Sequence, residues 1–193
     1  MASALPRDVT PMLATAGRLP ERDDGWAYEI KFDGVRVLTF VEKGRATLVT
    51  RNGNDVTASY PELADIAGAL DDRSAILDGE VVVFDAKGRT DFSLLQSRMH
   101  VRAPSEALRS SAPVKLLVFD LLFLDRTSLM PRSYDERRAA LLDLGLRDAA
   151  WDTPRAVEGD GPTILEASRE QGLEGIMAKQ RSSPYLPGRR VTT

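Results

Sequence analysis

Residues 28–36 read YEIKFDGVR, and their spacing sets an amine between two carboxylic acids. Side chains alternate along a strand, so Glu29, Lys31 and Asp33 share one face while Ile30 and Phe32 occupy the other. Lysine is scarce here: of 26 Lys and Arg residues only five are lysines, Lys31, Lys43, Lys87, Lys115 and Lys179. A lysine attacks an electrophile only as the neutral amine, and nearby cations such as Arg36 or a bound metal favour that form. Gly34 gives a ligand room to approach the backbone. The same letters also describe a solvated strand of alternating charge, so K-x-D-G alone leaves both readings open.

Three later stretches carry residues of matching chemistry. In LDGEVVVFD (77–85), Asp78 and Glu80 point one way while Leu77, Gly79 and Val81 point the other. The apolar run marks a buried strand, where a carboxylate needs a partner or a pocket. Glu80 therefore reads as a ligand for a ribose hydroxyl or a metal, or else as a strand-end acid in solvent. Phe119 and Asp120 interrupt the apolar run VFDLLFLD (118–125). Phe119 is either core or a face on which a purine stacks. LEGIMAK (173–179) places Met177 and Lys179 on one strand face with Glu174 just before them. A carboxylate suits Mg²⁺ and a lysine suits phosphate, although an ordinary helix-to-strand connection fits as well. His100 and the pairs Arg137-Arg138 and Arg189-Arg190 read as structural or solvated residues, and Trp26 and Trp151 as local anchors.

The elements that must position these residues follow from periodicity and punctuation. Residues 1–25 are irregular, broken by Pro6, Pro11, Pro20 and Gly25. The β-rich runs 26–42 and 45–51 predict a hairpin joined at Glu42-Lys43-Gly44. Tyr60-Pro61 opens a helix to Leu70, with Leu63, Ile66, Ala67 and Leu70 on one face. Residues 75–85 predict a strand, 91–99 a short helix, 101–113 a surface loop, and 115–125 a central strand covered on both faces. Ser133 with Glu136 and Thr163 with Glu166 fit S/T-x-x-E and predict two capped helices, the second closed by Gly172. Residues 175–181 form a last strand, and SSPYLPGRRVTT an open end. The pattern predicts an α+β fold of antiparallel sheets packed with helices.

Composition bounds the chemistry. The 193 residues suffice for one large domain, and 42% hydrophobic with 28% charged residues is ordinary for a globular chain. No run approaches the roughly 18 apolar residues of a membrane span, and MASALPRDVTPML lacks a signal-peptide core. The absence of cysteine excludes disulfides and thiolate chemistry, and a single histidine excludes a His-rich metal centre. An intracellular location is expected. A net charge of −3 is too acidic for a protein that grips a nucleic-acid backbone unaided.

The order of these elements is far more specific than any one of them. KFDG, RNG, DGE, FD and EGIMAK follow one another over roughly 150 residues, and in that order the chain resembles the covalent nucleotidyltransferases. These are ligases and capping enzymes that carry a lysyl-nucleotide intermediate. More narrowly, PMLAT, YEIKFDGVR, TRNGNDVT, LDGEVVVFD, LLQSRMH, FDLLFLD, LEGIMAK and SPYLPGRR resemble bacterial ATP-dependent DNA ligases across residues 9–190. The nearest type is the ligase module of end-joining enzymes. The resemblance implies an adenylation domain over residues 1–193, of the covalent nucleotidyltransferase or ATP-grasp-like kind, folded around an ATP cleft. Residues 1–25 would be its extended N-terminal segment.

The resemblance also implies roles. Lys31 would attack the α-phosphate of ATP, form lysyl-AMP and expel pyrophosphate. Glu29 would read the adenine amino group, with Ile30 beside it in the nucleotide site. Arg36 and Arg51 would bind the phosphate and ribose region and later a DNA 5′-phosphate. Glu80 would bind ribose or metal, Phe119 would stack on adenine, and Met177 would close the base pocket. Glu174 would support Mg²⁺ or Mn²⁺, and Lys179 would contact the α-phosphate. In-line phosphoryl transfer needs such positioning and charge neutralisation.

The family continues past SPYLPGRR with a Trp-x-Lys strand and an OB-fold domain, and this sequence reaches Thr193 before either. A chain ending there is expected to self-adenylate slowly and to seal nicks weakly or not at all. The implied partners are nicked or broken duplex DNA, the OB-fold domain, and in the parent protein fused polymerase or phosphoesterase domains or end-binding proteins. No membrane contact is expected. A monomer in a bacterial cytoplasm, acting at the nucleoid, fits best. The alternatives are an RNA ligase, a GTP-using capping-type enzyme, or a non-catalytic nucleotide-binding scaffold domain.

Overall fold

The β-rich run 26–42 divides at Phe32-Asp33-Gly34, and that break sends its two halves into different sheets. A Cβ on Gly34 would stand 2.3 Å from the carbonyl oxygen of Val81, so glycine alone lets the chain cross there. A computed structural model of the chain describes residues 5–191. Strands β1 (Leu13–Ala14) and β2 (Trp26–Lys31) precede the break, and β3 (Val35–Glu42) and β4 (Arg45–Thr50) follow it. Next come α1 (Ile66–Ala69), β5 (Ala75–Val83), α2 (Phe92–Gln96), α3 (Glu106–Ser111) and β6 (Val114–Leu124). The described chain ends with β7 (Thr127–Ser128), α4 (Tyr134–Asp143), β8 (Trp151–Asp152), β9 (Ala156–Glu158), α5 (Gly161–Glu170), β10 (Gly175–Gln180) and β11 (Arg190–Val191).

These strands make an α+β fold. A large sheet runs β4-β3-β5-β6-β7, all antiparallel, with β8 added parallel to β6. A small antiparallel sheet runs β10-β2-β9, and β1 pairs in parallel with β11. The period-two pattern of β5 works as read. Ala75, Leu77, Val81 and Val83 enter the main core against Leu63, Ile66, Leu70 and Leu95. The other face of the large sheet is apolar at one end, where Leu38, Phe40, Ile76, Leu122 and Phe123 pack under Leu5 and Tyr185. At its opposite end it carries Arg36, Asp78, Glu80, Phe119 and Asp120.

Strand β6 departs from regular alternation twice. Gly79 pairs with Val118 and Asp78 with Asp120, so Phe119 has no partner on β5; Leu122 is skipped in the same way. These bulges let Val118 and Leu121 both face the main core while the two consecutive residues between them, Phe119 and Asp120, face the cleft.

Several local expectations change. The helix expected from 61 to 70 is a 3₁₀ turn at Pro61–Leu63 followed by the single turn of α1. Gly68 weakens its propagation and Asp71, at φ 50°, ends it, yet Leu63, Ile66, Ala67 and Leu70 are buried as read. The expected loop 101–113 contains α3, whose start is capped by the Ser105 hydroxyl accepting from the Leu108 N–H. The Ser133–Glu136 capping box forms, but the Thr163–Glu166 box does not. Helix α5 begins earlier, at Gly161-Pro162, because Gly161 packs onto Tyr28 where a Cβ would lie 2.6 Å from the ring. Gly172 does close α5, at φ 66°, with the Leu173 N–H donating to the Ser168 carbonyl. The expected open end holds β11 and the buried Tyr185, and the irregular N-terminal segment holds β1 and the buried Leu5. Among the described residues no helix is long and apolar enough to cross a membrane.

Candidate active site

Between the two sheets lies a cleft of about 630 Å³. The residues assigned roles line it: Glu29, Ile30 and Lys31 from β2, Arg36 from β3, Glu80 from β5 and Phe119 from β6. Arg51 lines it from the turn after β4, Met177 and Lys179 from β10, and Glu174 from the residue before β10.

The small sheet supplies one wall. Antiparallel register sets Gly175 opposite Lys31 and Met177 opposite Glu29. The side chains of Lys31 and Glu174 are half-exposed and ion-paired at the mouth. Glu29 is buried, and its carboxylate is contested. The Tyr134 hydroxyl donates to Oε1 at 2.6 Å, and Arg138 lies 3.8 Å away. Lys179 Nζ stands 2.6 Å from Oε2, at an angle that makes no directed hydrogen bond, so the contact is ionic. The same ammonium lies 4.8 Å from the Phe119 ring centroid and 5.2 Å from that of Tyr134. Burial, reinforced by the Glu29 charge, pushes the Tyr134 phenol well above its ordinary range, so its proton stays in place to be donated.

The large sheet supplies the other wall. Arg36 donates to both oxygens of Asp78, each at 2.7 Å, and lies 4.8 Å from the Phe119 ring centroid. Burial opposes the Arg36 charge, but Asp78 more than offsets it and raises the pKa further. Asp78, fully buried, also accepts from the Tyr185 hydroxyl at 2.6 Å, and that hydroxyl accepts from the Met12 N–H at 2.8 Å. Glu80 has no hydrogen bond or ion pair among the described residues. Burial pushes its carboxyl up to about 7, against the pull of Arg36. Beside it, Asp120 is held by Arg137 through bonds of 2.8 and 3.0 Å.

Sequence reasoning missed this last pair. Arg137 and Arg138 read as a solvated helix face, yet they are 2% and 8% exposed. Arg137 also donates to the carbonyls of Arg132 and Ser183, and Arg138 to that of Pro154. The signal was Asp120 itself: a carboxylate inside an apolar strand demands a buried cation. Arg36, expected at the phosphate and ribose region, lines the cleft while bonded to Asp78. Arg51 is exposed at the rim, without an ion pair among the described residues.

Residues 11–193 match the family model described as ATP dependent DNA ligase domain. The chain belongs to this family. This ligase domain is 39% identical over 187 residues to the multifunctional non-homologous end joining DNA repair protein LigD of Mycobacterium tuberculosis, covering 96% of the chain and 23% of that relative. It is 31% identical over 182 residues to the SPbeta prophage-derived DNA ligase-like protein LigB of Bacillus subtilis, covering 94% of the chain and 64% of the relative. The solved mycobacterial DNA ligase D complexed with ATP and MES superposes with a TM-score of 0.82 at 38% identity, over 95% of this chain and 58% of that one. The ligase domain thus spans under a quarter of the length of the mycobacterial LigD relative, at 23%.

Among the described residues no three His, Asp or Glu side chains gather into a metal cage. Glu80, without a partner, and Glu174 at the mouth suit a hard cation that takes one or two carboxylates and fills its shell with water and phosphate oxygens.

Proposed function

We propose that this ligase domain is an adenylation unit, residues 1–193, in which Lys31 attacks the α-phosphorus of ATP. One observation carries the reading. A single cleft gathers an accessible lysine, an aromatic ring and three more cations, Arg36, Arg51 and Lys179, from the strands and turns of both sheets. Once Lys31 Nζ has lost its proton, it forms the N–P bond while the bond to pyrophosphate breaks, leaving AMP on the lysine. Phe119 offers the base a stacking face, Glu29 accepts from the exocyclic amine, and Ile30 and Met177 bound the base site. Arg51 and Lys179 meet the phosphates. Mg²⁺ or Mn²⁺, held by Glu80 and Glu174, would neutralise phosphate charge.

The AMP would then pass to a 5′-phosphate in nicked or broken duplex DNA. The relatives' descriptions as end-joining, repair and ligase proteins support that substrate. With a net charge of −3, this unit would draw its DNA grip from an OB-fold domain and from fused polymerase or phosphoesterase domains or end-binding proteins. It would work as a monomer in the bacterial cytoplasm, at the nucleoid.

Intact-mass spectrometry after incubation with ATP and Mg²⁺ tests the reading. Wild type gains the mass of one AMP, and Lys31→Ala gains nothing. Covalent labelling by GTP in place of ATP would point to a capping-type enzyme. ATP binding without an adduct would point to a non-catalytic scaffold.

A further inference from the structure

Phe119 is the ring assigned to the base, and two cations already stand over it. Arg36 and Lys179 each lie 4.8 Å from its ring centroid. A stacked purine and an ammonium cannot share one ring face, so a base that takes a face a cation covers enters only if that cation leaves. Arg36 is fixed by two 2.7 Å bonds to the fully buried Asp78. Lys179 has one ionic contact, 2.6 Å from Glu29 Oε2, without directed hydrogen-bond geometry and at the end of a flexible stem. Lysine is the residue that yields.

Glu29, in contrast, is not free to follow it. Its Oε1 accepts from the Tyr134 hydroxyl at 2.6 Å, and Tyr134 is buried in the first turn of α4 behind the Ser133–Glu136 capping box. The carboxylate therefore keeps Oε2 aimed into the cleft whether or not lysine is present. An ammonium and an exocyclic amine are both N–H donors, and both suit that oxygen.

Resting on the adenylation reading, we infer that Lys179 holds the base subsite as a stand-in for the adenine amine until nucleotide enters. Nucleotide entry expels it from Glu29 toward the phosphates. Lys179 thus has two posts. At one it neutralises Glu29 and covers Phe119; with nucleotide bound it neutralises phosphate. The nucleotide brings both the donor that replaces the ammonium at Glu29 and the anion that receives it. Adenosine brings only the first, and so must displace the lysine without compensation.

Adenosine and ATP binding to wild type and Lys179→Met, by calorimetry without divalent metal, separate this from a lysine that only touches phosphate. Methionine keeps the unbranched stem and removes the charge. If lysine holds the base position in nine of ten molecules, its removal tightens adenosine about tenfold. The same substitution weakens ATP and slows AMP transfer to Lys31. Adenosine binding that is unchanged, weaker or absent in Lys179→Met, with the fold intact by circular dichroism, overturns the inference. Tyr134→Phe provides a second variant, freeing Oε1 and loosening the aim of Glu29; adenosine should then bind more weakly in the Lys179→Met background. An unreactive Lys31 in wild type, with the adenosine response present, would overturn the adenylation reading and leave this one standing.

Discussion

The two walls of the cleft differ in how firmly they are held. On the large sheet, every residue of β5 except Glu80 is buried, and Asp78 and Asp120 are each locked to a guanidinium, Arg36 and Arg137. On the small sheet, no residue of β10 is fully buried, and the Lys31–Glu174 pair stands half in solvent. Helix α4 joins the two: Arg137 reaches Asp120 on β6, while Tyr134 reaches Glu29 on β2. A firm platform therefore faces a lightly packed layer that carries the proposed nucleophile, Lys31, and the lysine proposed to move, Lys179. Such an arrangement suits a reaction in which one lysine must attack and another must move, against fixed receptors.

The sharpest way to break this contrast is to remove the pin on the firm side. Arg137→Ala leaves Asp120 buried without its cation, and urea unfolding should show a loss of about 3–5 kcal/mol. Glu174→Gln, at the exposed pair, should change stability by less than about 1 kcal/mol. Equal effects would erase the distinction between the walls.

Glu80 sharpens the comparison through pH. Its carboxyl, pushed up to about 7 in the fold from an ordinary 4.5, keeps its proton across a range in which the unfolded chain has already lost it. The folded state binds more protons there, so stability falls as pH rises from about 4.5 to about 7, by of order 3 kcal/mol. Glu80→Gln should flatten that decline in thermal melts collected across the window. A modest effect lies at the joint between the walls. Ser133→Ala removes the cap of α4 and should cost about 1 kcal/mol in denaturant unfolding, with a slight relaxation of ATP over GTP preference.

Much of the site was legible because strand alternation is a rigid rule. Asp78 and Glu80 share the cleft face of β5, and Met177 and Lys179 line the cleft from β10, as their spacing implied. What escaped depended on contacts between distant segments. The division of 26–42 is imposed by the passage of Gly34 over Val81, which no local pattern encodes. Arg137 and Arg138 look solvated until the strand opposite them is known, whereas Asp120, alone in an apolar run, carried their signal. Tyr185 lay in a stretch read as open, and its hydroxyl proves to be 2.6 Å from Asp78. The helix hidden in 101–113 lies nearer to hand: serine serves loops and helix starts alike, and Ser105 is a cap.

The two bulges of β6 have a consequence for how this strand can change. Against the nine residues of β5, β6 runs to eleven, and the surplus is the pair of unmatched positions, Phe119 and Leu122. Removing Phe119 would close the first bulge: Val118 and Asp120 would become consecutive opposite Gly79 and Asp78, and both would keep their faces while the ring is lost. At this position a one-residue change in length costs the strand its cleft-facing ring and spares its register.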